Sequence, residues 1–185
     1  EVSRVREFLG IEAAVGRPAH EHPDRPVQGF ACTRSEVSGS RVWGLVEDRW
    51  GTAASFFKEH YVANYCPLLF MEEGGKNRTP DKLAASERAA LQAACDRHLQ
   101  RVVELLAPTW VIGVGAWAEL RARAALGDAV QIGKILHPSP ASPAANQGWA
   151  EAAAAELQAL GIEVPDPKVR SAVAEKVRPR ARVSP

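Results

Sequence analysis

Neither sign of charge dominates this sequence: 23 Lys and Arg are set against 22 Asp and Glu, for a formal net charge of +1. That balance excludes a global basic field, so any surface for a polyanion must be a local patch. Cysteine is scarce. Cys32, Cys66 and Cys95 are widely spaced and form no C-x-x-C pair, which argues against a cysteine-held zinc or a four-cysteine iron–sulfur cluster. A scattered, odd set of thiols suits a reducing cytosolic or nuclear compartment. No apolar run reaches the ~18 residues of a membrane-spanning helix. Methionine occurs once, at Met71, and the first residue is Glu1; the sequence is therefore expected to be a piece, or a processed form, of something longer. What is present is ordinary domain material. At 185 residues, 46% hydrophobic and 24% charged, the chain can build one core that hides roughly 70% of its unfolded surface.

Apolar spacing and Gly/Pro punctuation divide the chain. Val2, Val5, Phe8 and Leu9 share one helical face, and Gly10 ends that helix. Gly16, Pro18, Pro23, Pro26 and Gly29 make 16–35 an irregular loop; His20 and His22 within it have no third ligand in view and read as exposed loop histidines. Val42, Leu45, Val46 and Trp50 form the buried face of a helix with Ser38 as its N-cap. His60–Cys66 reads as a short apolar strand closed by Pro67, and 72–78 as a polar turn. Thr79 as N-cap and Pro80 at the first helical position open a long helix that ends near Leu106, ahead of Pro108. Strands over Trp110–Gly115 and Val130–Leu136 flank a helix over Ala116–Leu126, and a last helix covers Gln147–Leu160. Strands and helices alternating in this way predict an α/β fold, a parallel sheet with helices on both faces. Residues 164–185 carry six Lys or Arg against Asp166 and Glu175, with four prolines. They read as a basic, disordered tail to a domain of residues 1–163, either simply solvated or adding weak non-specific attraction to nucleic acid.

In an open parallel sheet, ligands bind beyond the carboxyl ends of the strands. Three predicted strands end in Asn64-Tyr65-Cys66-Pro67, Gly113-Val114-Gly115 and His137-Pro138-Ser139-Pro140, so Asn64 and His137 converge on one rim. A buried Asn presents both a donor and an acceptor, the pairing that the O4 and N3–H edge of uracil needs and that cytosine reverses. Leaving such an amide unpaired costs ~1–3 kcal/mol, enough to discriminate; the plainer reading is an Asn that caps the turn before Pro67. His137 is followed by two prolines that stiffen its surroundings, so it can offer a hydrogen bond to an oxygen gaining negative charge; the plainer reading is a structural or surface histidine. Gly113-Val114-Gly115-Ala116-Trp117-Ala118 matches the dinucleotide pattern G-x-G-x-x-G/A. That would suit a nucleotide-binding oxidoreductase, but no acidic residue ends a strand about twenty positions later. A tight strand-to-helix turn is the alternative.

Four stretches occur in an order that resembles the single-strand-selective monofunctional uracil-DNA glycosylases: 35–44 (Ser-Glu-Val-Ser-Gly-Ser-Arg-Val-Trp-Gly); 64–70 (Asn-Tyr-Cys-Pro-Leu-Leu-Phe) with the turn 75–80; 111–115 with the helix segment 118–123; and 137–149, from His137-Pro138-Ser139-Pro140 to Trp149. The resemblance covers most of 1–162. It implies a uracil-DNA glycosylase-like sheet and a base-excision-repair enzyme that flips a deoxyuridine out of the stack and hydrolyses its glycosidic bond, without metal, cofactor or Schiff base. By that resemblance Asn64 reads the uracil edge and His137 stabilises the departing uracil anion. The segment Pro138–Gln147 looks like the family's wedge in the duplex, giving Ser139, Pro140, Ala141, Ser142, Pro143, Asn146 and Gln147 as DNA contacts; without the resemblance it reads as a Pro- and Ala-rich surface loop. The implied partner is single- or double-stranded DNA carrying uracil or oxidised pyrimidines such as 5-hydroxymethyluracil, met by a monomer in the nucleus and not at a membrane.

Two departures qualify the resemblance. Family members usually carry Arg where this chain has Ala141, which should weaken duplex penetration more than single-strand binding. The family's first motif, Gly-Met-Asn-Pro-Gly, whose Asn positions the attacking water, and the Phe that stacks on uracil do not occur in the sequence. Glu1-Val2-Ser3 looks like the segment just after that Phe. The strand that carries the motif is expected to be central in the sheet, so these residues alone are expected to fold poorly. A catalytically inactive fragment or isoform that at most binds DNA is the alternative.

Overall fold

A helix begins where its first free N–H groups find an acceptor, and here the acceptor is Glu36. The structure, a computed structural model, describes residues 4–167. After a single helical turn over Arg4–Phe8 and a long loop, helix α1 spans Val37–Trp50. The Glu36 carboxylate accepts from the N–H groups of Ser38 and Gly39, so the cap lies two residues before the Ser38 expected from sequence. A carboxylate at this end also meets the positive pole of the helix dipole. Helix α2, Ala53–Phe56, follows with the Thr52 hydroxyl as its cap. Phe56 stacks on His60 at 4.6 Å between ring centres and meets Trp50 edge-on at 5.2 Å.

Strands β1 (Phe70–Met71) and β2 (Asn77–Arg78) pair antiparallel, which turns the expected polar turn at 72–78 into a hairpin. His22 and Arg25 clip the preceding loop onto it: His22 Nε2 lies 2.7 Å from the Glu73 carbonyl, and Arg25 Nε donates to the Gly75 carbonyl at 3.0 Å. His22 is half-buried by this contact, which corrects its reading as an exposed loop residue. The helix expected from Thr79 starts later. Pro80–Lys82 form one tight turn, and α3 runs Ala85–Leu106. The Arg78 guanidinium captures the Lys82 carbonyl at 2.7 Å, which occupies the acceptor that a continuous helix would need.

Strand β3 (Trp110–Val114), helix α4 (Ala116–Leu126) and strand β4 (Gln131–Ile135) form a parallel β–α–β unit, with Gly113 opposite Lys134 and Val114 opposite Ile135. Helix α5, Trp149–Ala159, follows a short turn at Ala144–Gln147. Side chains alternate across the sheet with period two. Val114 and Ile135 face α5, where Trp149, Ala153 and Ala154 join Leu45 of α1 in the main core. Gly113 faces α4 so closely that a Cβ there would lie 2.3 Å from the Glu119 backbone nitrogen. Helices therefore cover both faces of the sheet. The core continues through Val164, which is 6% exposed, and the buried Arg49 donates to the Pro165 carbonyl at 3.3 Å. Packing thus passes the 163/164 boundary read from sequence. Residues 168–185, most of the expected tail, lie outside the described residues, as do 1–3 of the first helix.

The expected strand at His60–Cys66 is not one. Among the described residues the parallel sheet is two strands wide, and no backbone hydrogen bond joins 61–69 to another strand. The segment carries no secondary structure and bends at Tyr65, with apolar side chains in the open; Tyr61 is 63% exposed, and Leu69 70%. An apolar stretch with β-prone residues becomes a strand only when a neighbour accepts its backbone groups, and none does so here.

Candidate active site

His137 sits two residues beyond β4, and its backbone is gripped before the ring is reached. The preceding residue, Leu136, donates its N–H to the Glu156 carboxylate, while its carbonyl accepts from Trp149 Nε1 at 2.7 Å. Both partners come from α5. On the other side, Gly115 lies against the imidazole: a Cβ there would meet His137 Cβ at 3.0 Å and Cδ2 at 3.1 Å. The Ser139 N–H donates to His137 Nδ1 at 3.1 Å. An Nδ1 that accepts carries no proton, so the neutral ring holds its proton on Nε2. His137 is exposed, and the rim of the sheet therefore presents one fixed Nε2–H donor to a ligand.

The segment after His137 is tied at several points. Pro138 is buried, whereas Pro140, Ala141, Pro143, Asn146 and Gln147 are exposed and Ser139 and Ser142 half-buried. Ser139 accepts twice, from the Ala141 N–H at its hydroxyl (3.2 Å) and from the Ser142 N–H at its carbonyl (3.0 Å). Asn146 Nδ2 donates to the Pro140 carbonyl at 3.0 Å, and Ala145 beneath it is buried in the core. Arg41 of α1 reaches this segment with two bonds, to the Pro138 carbonyl at 2.9 Å and to Asn146 Oδ1 at 2.8 Å. Sequence reasoning did not single out Arg41. The only signal was its place in the stretch 35–44.

Asn64 is exposed, which corrects its expected burial at a strand end; no strand beside 61–69 closes over it. Its neighbour Tyr65 anchors the segment. The Tyr65 hydroxyl bonds the Asp96 carboxylate and the Gln92 carbonyl (3.2 Å) of α3 and accepts from Arg121 Nε of α4 at 3.2 Å; Arg121 also pairs with Asp96. Burial, followed by the hydrogen bond with Asp96, pushes the Tyr65 phenol up to about 12. Beside it, burial and a hydrogen bond with Cys66 push the Cys95 thiol up to about 11. Tyr65 also meets Trp117 edge-on at 5.3 Å. Trp117 stands two residues beyond Gly115, the residue that backs His137, so one short path of contacts links the segment of Asn64 to that of His137.

The glycine pair serves packing. The Gly115 N–H donates to the Ile135 carbonyl at 2.8 Å, and Gly113 gives α4 its close approach. A phosphate cradle needs such N–H groups turned towards a ligand, so this turn does not favour a dinucleotide.

The domain thus has helices on both faces of its parallel strands and a Pro-flanked His at the sheet's end. Comparison with known proteins finds clear relatives. The chain is 48% identical over 165 residues to the rat single-strand selective monofunctional uracil-DNA glycosylase, a match that covers 88% of this chain and 59% of that protein. Proteins so named from mouse and cattle are each 47% identical over 165 residues, covering 59% and 61% of their lengths. The chain is similar to these proteins over 88% of its own length, and it spans about three fifths of theirs. No family model matches it.

Proposed function

We propose that the chain is the uracil-recognising and leaving-group-stabilising part of a base-excision-repair glycosylase acting on DNA. The observation that carries the proposal is the clamped ring of the exposed His137, whose Nδ1 accepts the Ser139 N–H and so leaves the proton of the neutral ring on Nε2. As the bond between the deoxyribose C1′ and uracil N1 breaks, negative charge gathers on the base, and a fixed donor favours that charge more than the neutral ground state. Water then adds at C1′, leaving an abasic site and free uracil, and this hydrolysis needs no metal or cofactor. Asn64, on the segment joined to His137 through Trp117 and Tyr65, reads the uracil edge. The run Ser139, Pro140, Ala141, Ser142, Pro143, Asn146 and Gln147, exposed except for the half-buried Ser139 and Ser142, meets the DNA strand left by the flipped nucleotide, at a cost of a few kcal/mol in lost stacking. We extend the substrates to 5-hydroxymethyluracil and related oxidised pyrimidines in single- and double-stranded DNA, and place the activity in the nucleus, in a monomer. A second reading, DNA binding without excision, is favoured by one observation: Asn64 lies on a segment that no strand holds.

Single-turnover excision from a single-stranded oligonucleotide with one deoxyuridine, read by alkaline cleavage of the abasic product, tests both readings. His137→Ala is expected to slow excision on the order of 100-fold, as for loss of one transition-state donor, and Asn64→Ala to reduce the preference for uracil over cytosine. Undiminished excision by His137→Ala overturns the proposal. Uracil-dependent binding with no excision by the parent chain selects the second reading.

A further inference from the structure

Arg41 holds a particular peptide bond. The carbonyl it grips at 2.9 Å is that of Pro138, and the N–H that bonds His137 Nδ1 at 3.1 Å is that of Ser139. Carbonyl and N–H belong to one planar peptide unit, and in its trans form, which holds throughout the described residues, they point in opposite directions. Arg41 therefore pulls on one edge of a rigid plate whose other edge fixes the imidazole. Rotating the plate breaks both bonds together. Pro138 is buried, and a buried carbonyl needs a donor from within the protein. The second arm of the guanidinium holds Asn146 Oδ1 at 2.8 Å, and Asn146 in turn holds the Pro140 carbonyl. One planar fork thus meets two acceptors that flank the exposed residues, a geometry that a lysine ammonium cannot reproduce.

We infer that Arg41 is a positioning residue: it fixes the Pro138–Ser139 peptide plane and so sets the orientation and the Nε2–H tautomer of His137. The inference rests on the glycosylase reading for its catalytic consequence but not for the tautomer itself. The base leaves against Nε2–H, so loosening the plate lowers the excision rate more than the affinity for DNA.

The test is ¹⁵N NMR of the His137 ring at a pH where imidazole is neutral, together with single-turnover excision, for the parent, Arg41→Ala, Arg41→Lys and Asn146→Ala. The parent is expected to show the Nε2–H tautomer, Arg41→Ala a mixture, and Arg41→Lys an intermediate state. Asn146→Ala, which leaves the Pro138 bond in place, is expected to keep the parent tautomer. Excision by Arg41→Ala is expected to fall about tenfold, with a smaller change in affinity for a uracil-free strand, since misplacing a reacting group slows the chemical step. An unchanged tautomer in Arg41→Ala overturns the inference. Should Arg41→Ala not fold, Arg41→Lys decides: parent tautomer and parent rate refute, intermediate values support. Absence of excision in the parent would defeat the glycosylase reading for this chain, while the ring spectra would still decide the role of Arg41.

Discussion

Exchanging Gly113 or Gly115 for alanine separates what the glycine pair does for the fold from what it does for the site. A Cβ on Gly113 would stand 2.3 Å from the Glu119 backbone nitrogen, 2.6 Å from its Cα and 2.9 Å from the Ala118 carbonyl carbon. All three are backbone atoms of α4, so no rotamer change relieves them, and the helix must move off β3. Overpacking of this kind costs roughly 3 kcal/mol, at the upper end of its usual range. At about 1.4 kcal/mol per factor of ten, that is on the order of 100-fold in a local opening equilibrium. The assay is native-state amide exchange at Glu119, whose N–H bonds the Gly115 carbonyl at 3.2 Å, and at the β3 amides. Gly113→Ala is expected to lose about two decades of protection there. Gly115→Ala meets only side-chain atoms of His137, at 3.0–3.4 Å, with a strained φ of +95°. Its cost, of order 1–3 kcal/mol, displaces the imidazole, so excision should fall while the α4 amides keep most of their protection. Protection at Glu119 within threefold of the parent in Gly113→Ala would refute the close-packing argument.

Two further outcomes follow from the geometry around the site. Because the Tyr65 phenol is raised to about 12, the stability it contributes is complete below pH ~10, its ordinary value, and is lost as pH rises through about 12. Denaturant unfolding should show that decline in the parent but not in Tyr65→Phe, and a tyrosinate absorbance step near pH 12 should vanish with it; the same decline in Tyr65→Phe would dissociate it from this phenol. Ala141, exposed on the segment that follows His137, has no long side chain to enter a stack. The parent should therefore excise uracil faster from single strands than from duplex, and Ala141→Arg should raise the duplex rate on the order of tenfold, part of a stacking cost of a few kcal/mol. Equal parent rates on the two substrates would reject that account.

Much of the α/β frame was legible because it is written locally. The strands expected over Trp110–Gly115 and Val130–Leu136 and the helix over Ala116–Leu126 between them need only neighbours in sequence to be read. The site was legible in part. His137 stood out through its flanking prolines and its place at a strand end, yet the residues that hold it did not: Arg41 lies 97 positions from Pro138 and 105 from Asn146, beyond any periodicity. The break before α3 was hidden because it depends on where the Arg78 side chain goes. Asn64 was expected in a buried strand since its segment has the right side chains, but strand formation is settled by a pairing partner and not by composition.

The segments that carry His137 and Asn64 differ in stiffness. His137 is built into the end of a helix-clamped strand, with Leu136 held at both its N–H and its carbonyl. Asn64 rides on a stretch whose backbone makes no ladder and which is moored chiefly by the Tyr65 hydroxyl. If both residues meet the base, as proposed above, the base finds an anvil in His137 and a jaw in Asn64. Accommodation of differently substituted pyrimidines would then be a movement of the jaw, with the group that faces the breaking bond standing still.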